Sequence, residues 1–399
     1  MTDTWVCVIG GGRSQVPFIE AAGERGLNTV VFDRDPDAPA KDIATEFVAM
    51  STHDTDGVIA YLEEHPRDLV GCFTDSSYEG ALLTTSAIVD RFGLRGLRRE
   101  ALDRMWSKPE MLRALDNAGL ATPDWTVTSD PVELEEWVAR HGASIVKPAR
   151  GGVGSVGVAF VAPGTEGKGD LLATACAASS GGMALIEGYL AGSEYSVDGY
   201  VSGGAAVVLS VSRKSSLGAE GGFVMAGFVT GPGAIQEDVA SALTGLAEPV
   251  LSAAGLDDSY FSLDVIESDG VLFVIDVGPL LDAKIDRLLH HAGVDVYGVA
   301  SDIGLGAPVA TAPSPGRAHA LRFIYASERG VLEMGSAGRV KTESGFAYLE
   351  FEKAAGDEVR PPESVADVLA WVIGSGSDAS LVEADLFLLD LSDRIVISS

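Results

Sequence analysis

The first hundred residues alternate short apolar segments with helical ones, and this alternation restricts the possible folds more than any other feature of the chain. Apolar runs at residues 5–9, 29–32 and 69–73 predict buried strands, and residues 55–64 predict a helix. Strands that alternate with helices form right-handed βαβ units around a parallel sheet. We therefore predict an α/β domain at the N-terminus.

The remainder of the chain has a different pattern. Short strands and hairpins fill residues 144–277, with a predicted helix over 236–254, and a Pro-rich segment follows at 312–316. Beyond it, strands are predicted at residues 318–325, 346–351 and 384–397. The predicted fold class is thus α/β followed by α+β, with a small β-rich module at the C-terminus.

The composition excludes several classes of partner. The chain has 58 acidic and 28 basic residues, which gives a formal charge of −30. Nucleic acids and anionic membranes attract Lys- and Arg-rich surfaces, so neither is expected. The three cysteines are sparse, and no apolar run approaches the roughly 18 residues of a membrane span. The first residues lack the basic start of a signal peptide. These features predict a soluble cytoplasmic protein.

A first glycine loop, residues 10–12, lies between a predicted strand and a predicted helix. Asp33 follows 21 residues after Gly12, near the spacing of an acid that binds the ribose of a dinucleotide. However, the third glycine of that fingerprint would fall at position 15, which is Gln15. A tight turn without a dinucleotide is the favoured interpretation, and an NAD-dependent dehydrogenase is a minor alternative.

A second glycine-rich loop, residues 151–157, lies between two predicted strands. Its side-chain-free backbone could approach an anion, and Lys147 just before it could place a positive charge on a phosphate. Lys108 lies in the first turn of a helix that a Ser107–Glu110 capping box is predicted to begin. Two such lysines suit a polyphosphate. The alternatives are a flexible hairpin and exposed surface lysines.

Asp264 and Asp276 lie on the two arms of a predicted hairpin around residues 268–270. A two-residue turn would place the two acids on opposite faces, whereas a three-residue loop would make them diagonal neighbours about 7–8 Å apart. The face shared by Leu272, Val274 and Asp276 favours the three-residue loop. Two carboxylates at that distance could bind Mg²⁺. The alternative is a pair of solvated or salt-bridged acids.

Glu187 and Glu194 enclose the apolar segment 188–192. Backbone groups of such a segment could bind the edge of an adenine, and a nearby carboxylate could bind a ribose diol. An ordinary turn between domains is the alternative.

Taken together, these segments resemble the ATP-grasp superfamily over nearly the whole chain, with most similarity to its biotin carboxylase-like branch and to bacterial L-amino-acid ligases. The resemblance implies three parts: a Rossmann-like domain at 1–105, an ATP-grasp domain of two α+β lobes at 106–310, with the ATP lid lobe at about 123–190, and the β-rich module at 311–399. It also implies ATP and Mg²⁺ as cofactors and a possible homodimer.

The resemblance assigns roles to individual residues. Those assigned to ATP binding are Lys108, Lys147, Gly151, Gly152, Gly154, Ser155, Gly157, Glu187, Tyr189, Leu190 and Glu194. Asp264 and Asp276 take the metal positions.

The sequence departs from the family where the metal motif is usually Glu-x-Asn-Pro-Arg. Here residues 276–280 are Asp-Val-Gly-Pro-Leu, so the Asn and the Arg are missing. Lys284 or Arg287, three residues apart on one face of a predicted helix, could replace the Arg, or both could be surface charges. Arg322 occupies a position similar to an active-site Arg of biotin carboxylase. These three are the predicted catalytic residues.

The function that the resemblance implies is ATP-dependent ligation of a carboxylate to an amine through an acyl phosphate, on small amino-acid-like substrates. Two alternatives stay open at this point. One is another acyl-phosphate enzyme, such as a carboxylase that uses bicarbonate. The other is a non-catalytic nucleotide-binding protein, because the metal motif is incomplete.

Overall fold

The computed structural model of the chain describes residues 3–151, 155–217, 223–309, 316–342, 346–392 and 394–398. Its first sheet has the strand order β3-β2-β1-β4, and all of its pairings are parallel. The elements of this domain are β1 (Thr4–Ile9), α1 (Val16–Glu24), β2 (Asn28–Asp33), a 3₁₀ turn (Pro39–Asp42), β3 (Glu46–Ala49), α2 (Thr55–Glu64), β4 (Asp68–Phe73) and α3 (Glu79–Phe92). The predicted parallel α/β domain is confirmed, with β3 as an additional strand.

Two helices connect this domain to the rest, α4 (Arg99–Trp106) and α5 (Lys108–Asn117). The predicted capping box at the start of α5 is wrong, because the Ser107 side chain makes no capping hydrogen bond. Instead, the Lys108 amide donates to the Ala149 carbonyl at 3.0 Å. The start of α5 is therefore fixed to the strand segment that contains Lys147.

A small antiparallel sheet follows, in the order β5-β8-β6-β7. Its elements are β5 (Trp125–Thr128), α6 (Pro131–His141), β6 (Ser144–Pro148), β7 (Ala159–Val161), α7 (Lys168–Ala178) and β8 (Ala184–Gly188). Leu134 and Val138 of α6 and Leu172 of α7 pack with Val146 and Ile186 of the sheet. The second glycine loop connects β6 to β7, as the sequence predicts.

The largest sheet has nine antiparallel strands in the order β13-β12-β9-β10-β11-β14-β19-β17-β16. Its first five strands and the adjoining helices are β9 (Ser193–Ser202), β10 (Ala205–Leu217), β11 (Val224–Thr230), α8 (Glu237–Ala254), β12 (Ser259–Ser268), β13 (Val271–Gly278), α9 (Ile285–His291) and α10 (Val299–Leu305). Helices α4, α5 and α8 cover one end of the sheet, and α9, α10 and α1 pack on a different part of it.

The C-terminal strands continue the same sheet. The remaining elements are β14 (Ala318–Ile324), β15 (Gly330–Met334), β16 (Gly338–Lys341), β17 (Phe346–Phe351), β18 (Glu358–Val359), a 3₁₀ turn (Val365–Asp367), β19 (Ala370–Gly376), α11 (Ala379–Phe387) and β20 (Val396–Ser398). Strands β15, β18 and β20 form a separate three-stranded sheet. Strands from both sides of residue 310 belong to one sheet, so the predicted module at 311–399 packs as an extension of the preceding lobe. The domain boundaries stay a prediction.

The predicted strand at 384–397 is wrong over most of its length. Residues up to Phe387 belong to α11, and β20 begins only at Val396. The Asp378 side chain accepts a hydrogen bond from the Leu381 amide at 3.0 Å and so caps the helix at its start. The Pro-rich segment at 312–315 lies outside the described residues. Among the helices that are described, none is long and apolar enough to cross a membrane.

Candidate functional site

A cavity of about 670 Å³ lies where the small sheet, the large sheet and the N-terminal domain meet. The small sheet contributes Lys147 to its lining, the large sheet Asp264 and Asp276, and the N-terminal domain Asp75. Its volume is typical of a small-molecule site. We take this cavity as the candidate site.

The hairpin that carries the two aspartates has a two-residue turn, so the predicted three-residue loop is wrong. Ser268 pairs with Val271, and both Asp269 and Gly270 have positive φ, as a type I′ turn requires. A one-residue bulge then shifts the register between Val265 and Asp264.

The bulge places Asp264 directly opposite Asp276, and both line the cavity. Leu272 and Val274 pack in the hydrophobic core instead, so the predicted shared face with Asp276 is also wrong. A bulge redirects one side chain without ending the strand pairing.

Lys108 lies beside Asp276, with its Nζ 3.1 Å from Oδ2 and 3.3 Å from Oδ1. Burial raises the pKa of Asp276, but Lys108 and Lys147 outweigh this effect and lower it below its usual value. Asp276 is therefore a carboxylate at neutral pH, as a metal ligand must be.

Lys147 is buried with Glu187 and pairs with it at 2.8 Å. Its Nζ also donates to the carbonyl of Ile275, the residue inserted by the bulge, at 3.2 Å. Burial lowers the pKa of Lys147, but Glu187 and Asp276 raise it above its usual value. The small sheet thus holds a fixed ammonium group beside the hairpin that carries Asp264 and Asp276.

Lys214 was missed by the sequence analysis, although it lines the cavity and is buried. Its Nζ lies 2.8 Å from Asp264, 3.0 Å from Glu194 and 3.1 Å from Asp282. Burial raises the pKa of Asp264 to about 7 against the opposing effect of Lys214, with Asp282 and Glu194 raising it further. The available signal was a polar face on β10, where serines alternate with Lys214 at positions 210, 212 and 216.

Asp198 contacts the charged cluster around Lys214 through Asp282. It is fully buried, and its carboxylate accepts the Asp282 amide at 2.7 Å and the Ser196 hydroxyl at 2.6 Å. Burial, and then the Asp282 carboxylate, raises the pKa of Asp198 to about 8.

This raised pKa predicts an inverse dependence of stability on pH. Because the folded state retains a proton on Asp198 that the unfolded chain loses near pH 4, the free energy of unfolding should fall as pH rises from about 4 to about 8. For this one group, linkage predicts a loss of about 4 kcal/mol between pH 5 and 8.5, which urea denaturation measures. The variant Asp198→Asn should show a smaller loss, and an equal loss in both proteins would contradict the assignment.

The predicted adenine-binding segment, residues 187–194 (the hinge), lines the cavity through Glu187, Tyr189, Leu190 and Glu194. Two of its amides are used within the fold, because Gly188 donates to Asp124 and Tyr189 to Ala143, each at 2.9 Å. An adenine would therefore have to use other groups of the hinge. Glu194, which the sequence suggests as a ribose ligand, lines the cavity and pairs with Lys214 at 3.0 Å.

The second glycine loop is described only in part. Gly151 and Ser155 line the cavity, both with positive φ, and the Ser155 hydroxyl donates to the Phe223 carbonyl at 3.2 Å. Gly157 does not line it, and a Cβ there would lie 3.0 Å from Ala178. Gly157 is thus required for packing against α7. Gly152 and Gly154 lie outside the described residues.

Two of the predicted catalytic residues lie near the cavity but do not share a helix face, so that prediction is wrong. Lys284 precedes α9 with a φ of 63°, lines the cavity and pairs with Glu352 at 2.6 Å. Arg287 lies within α9 and packs over the Tyr297 ring, 5.7 Å from its centroid, outside the cavity lining.

Arg322, the third predicted catalytic residue, does not line the cavity. Its Nη1 donates to the carbonyls of Leu386 at 2.6 Å and Phe387 at 3.0 Å, at the C-terminus of α11. The neighbours Leu321 and Phe323 on β14 belong to the cluster around α9, so Arg322 projects from the opposite face of the sheet.

We expect Arg322→Met to lower the free energy of unfolding by about 1–2 kcal/mol, because α11 loses a cation at its C-terminus. ATP-dependent turnover should not change. Chemical denaturation and phosphate release measure the two effects. A tenfold loss of turnover with unaltered stability would return Arg322 to the site.

The first glycine loop is filled by the protein itself. The Asp33 carboxylate accepts a hydrogen bond from the Gly11 amide at 2.7 Å, and a Cβ on Gly11 would lie 3.2–3.3 Å from Ala40, Ala38 and Asp33. This geometry favours the tight-turn interpretation over a dinucleotide site, because the acid that would bind the ribose already binds the loop.

The cavity offers donors for Mg²⁺. The described residues contain no group of three or more His, Cys, Asp or Glu side chains placed to hold a metal. The facing carboxylates Asp264 and Asp276 nevertheless fit Mg²⁺, which takes one or two carboxylates and completes its coordination with phosphate and water oxygens.

Comparison with known proteins shows which proteins this chain is similar to. Residues 105–283 match the family model described as the ATP-grasp domain. A stretch of 126 residues is 31% identical to the phosphoribosylamine–glycine ligases of two Streptococcus pneumoniae strains, and the chain spans 30% of the length of those relatives.

Solved structures resemble the chain over nearly its whole length. The L-amino acid ligase of Bacillus licheniformis has a TM-score of 0.78 and 18% identity, with 99% of this chain and 98% of that chain covered. The phosphoribosylglycinamide synthetase of Anaerococcus prevotii has a TM-score of 0.72 and 18% identity, with 99% of each chain covered. A biotin carboxylase domain from Hydrogenobacter thermophilus, solved with MgADP and bicarbonate, has a TM-score of 0.73 and 14% identity, covering 99% and 90%.

Proposed function

We propose that this chain, whose residues 105–283 match the ATP-grasp domain model, is an ATP-grasp enzyme, namely an ATP-dependent ligase that joins a carboxylate to an amine through an acyl phosphate. The observation that carries the proposal is the convergence of Lys108, Lys147 and Lys214 with Asp264 and Asp276 in one cavity. Three ammonium groups suit a triphosphate, and the carboxylates suit the divalent cation that accompanies it. The printed names of the matched relatives also describe ligases of amino acids.

The nucleotide would lie along the small sheet. Tyr189 and Leu190 would contact the adenine, Glu187 and Glu194 would take the positions near the base and ribose, and Gly151 and Ser155 would lie beside the phosphates. Lys108 and Lys147 would bind phosphate oxygens in place of the carboxylates that they now contact. Fixed charges of this kind lower the barrier to phosphoryl transfer without later reorganisation.

Asp264 and Asp276 would hold magnesium. Bound there, Mg²⁺ would supply positive charge that offsets the negative charge developing on the phosphates. Gly278 lacks the usual Asn oxygen, and a Cβ there would lie 2.9 Å from the Ser262 hydroxyl, which occupies the space beside it.

The chemistry has two steps. An oxygen of the substrate carboxylate attacks the γ-phosphorus, and ADP leaves. An amine nitrogen then attacks the acyl carbon, the C–N bond forms, and phosphate leaves with the electrons of the C–O bond. Lys214 is the described cavity cation that would replace the missing Arg, and Gly151 and Ser155 in the cavity wall would help to exclude water from the acyl phosphate.

Phosphate release tests the proposal. The protein with ATP and Mg²⁺ should release phosphate when mixtures of L-amino acids and small amines are added, and mass spectrometry should find the amide. Release with bicarbonate alone would favour a carboxylase. Tight ATP binding with no turnover on any acid would favour a non-catalytic nucleotide-binding protein.

The proposed partners are small molecules only. A homodimer and a cytoplasmic location stay predictions from the sequence, and size-exclusion chromatography with light scattering would test the dimer.

A further inference from the structure

The cavity contains charged side chains that the nucleotide does not require. Asp75 follows β4 of the N-terminal domain, whereas Lys284 and Asp286 lie at the start of α9. All three line the cavity, together with Ser14 and Ser77. This group therefore presents both signs of charge from two separate parts of the chain.

The two carboxylates of this group oppose each other. Asp286 has a side chain only 10% exposed, accepts the Tyr297 hydroxyl at 3.1 Å and pairs on one side with the Arg287 Nε at 3.4 Å. Burial, and then the Asp286 carboxylate, raises the pKa of Asp75 to about 8, and Lys284 only partly compensates. Neighbouring carboxylates in such a place are stabilised by a proton or by a cationic ligand between them.

Lys284 supplies the complementary charge. It contacts Glu352 at 2.6 Å, but an ammonium group has three donors, so it can bind a ligand carboxylate as well. Apolar side chains of Leu281, Met225 and Val365 also line the cavity and pack in the cluster that contains α9. A ligand that matches these features has an ammonium group, a carboxylate and an apolar side chain.

We infer that the amine substrate is an α-amino acid bound as a zwitterion, with its ammonium group at Asp75 and Asp286 and its carboxylate at Lys284. The inference rests on the proposed function and adds the substrate class of the second step. Acidic amino acids should be poor acceptors because Asp75 and Asp286 would repel their side chains.

Asp75 is also placed to accept the proton that the ammonium must lose. One proton passes from nitrogen to the Asp75 carboxylate, the freed electron pair attacks the acyl carbon, and phosphate leaves with the electrons of the broken C–O bond. The second proton leaves the nitrogen and is taken by the released phosphate. The bound ammonium group would favour the carboxylate form of Asp75, which is the form that can accept this proton.

The test compares two nucleophiles in the variant Asp75→Asn. Hydroxylamine, largely uncharged at neutral pH, can trap the acyl phosphate as a hydroxamate and needs no ammonium site. The carboxylate substrate in this test is the L-amino acid with which the protein releases most phosphate. We expect Asp75→Asn to raise the KM for an apolar amino acid as the amine substrate by about 10- to 100-fold. Hydroxamate formation and the KM for ATP should stay within about twofold of the wild-type values.

A matched control separates the effect at the cavity from a general effect of losing one negative charge. Asp68→Asn makes the same substitution at the exposed opposite end of β4 and should alter neither reaction. Because Asn removes the repulsion with Asp286, the thermal midpoint of Asp75→Asn should be unchanged or higher.

Three results would overturn the inference. They are an unchanged acceptor KM, an equal loss of amide and hydroxamate, and an equal use, by both wild-type protein and Lys284→Met, of the acceptor and its methylamide, which keeps the ammonium group but lacks the carboxylate. The absence of both hydroxamate and phosphate from the wild-type protein with every acid tested would instead reject the proposed function itself.

Discussion

Replacing Lys147 with methionine should lower ATP-dependent phosphate release by about 100-fold or more, because the site loses a fixed ammonium group aimed at the triphosphate. The side chain reaches the cavity from β6 and is held by Glu187 at 2.8 Å and the Ile275 carbonyl at 3.2 Å. Phosphate release at saturating ATP measures the effect on turnover, and calorimetric titration with a non-hydrolysable ATP analogue measures the effect on binding.

The same change should also destabilise the protein. Glu187 is 4% exposed, and removal of its partner leaves a buried charge uncompensated, which costs about 3–5 kcal/mol. The double variant Lys147→Met, Glu187→Gln removes that charge and should recover most of the stability without recovering turnover. Wild-type turnover in the stable double variant would refute the phosphate role of Lys147.

Asp276→Asn should lower magnesium-dependent turnover by at least about 100-fold, because an amide oxygen is a far weaker ligand for Mg²⁺ than a carboxylate. The concentration of Mg²⁺ at half-maximal rate should rise, while the KM for ATP at high Mg²⁺ changes less. A titration of phosphate release with MgCl₂ at fixed ATP measures this shift.

The hairpin itself supplies the control for that experiment. Asp269→Asn makes the same substitution at the exposed turn of the hairpin, where Asn before Gly suits the type I′ geometry. Its magnesium titration should match that of the wild-type protein. If Asp276→Asn behaves like Asp269→Asn, the metal site lies elsewhere.

The parallel N-terminal sheet, the two β-rich lobes and helix α8 could be predicted because their patterns are local. Strands buried on both faces are continuous apolar runs, and the glycine turns between them are explicit in the sequence. Strand β3 was not found, since Glu46–Ala49 is short and only partly buried.

The register of the hairpin that carries Asp264 and Asp276 could not be predicted from the alternation of side chains. Under strict alternation a two-residue turn separates Asp264 from Asp276, so the sequence favoured a three-residue loop. The structure reconciles the turn with the site through a one-residue bulge at Ile275, which no periodicity reveals. The juxtaposition of the aspartates was expected, but the register that produces it was not.

Long-range contacts account for the remaining differences. Lys214 can be recognised as a site residue only in the folded protein, where Glu194, Asp264 and Asp282 surround it. Arg322 lies on the face of β14 opposite the α9 cluster, and the sequence alone does not state which face meets α11.

The most direct test of the account is a crystal structure of the protein with Mg²⁺ and a non-hydrolysable ATP analogue. The account predicts the triphosphate between Lys108, Lys147 and Lys214, with Mg²⁺ coordinated by Asp264 and Asp276 and the base beside Tyr189 and Leu190. An analogue bound elsewhere, or a cavity in which Lys108 still pairs with Asp276 and Lys147 with Glu187 at saturating nucleotide, would contradict it.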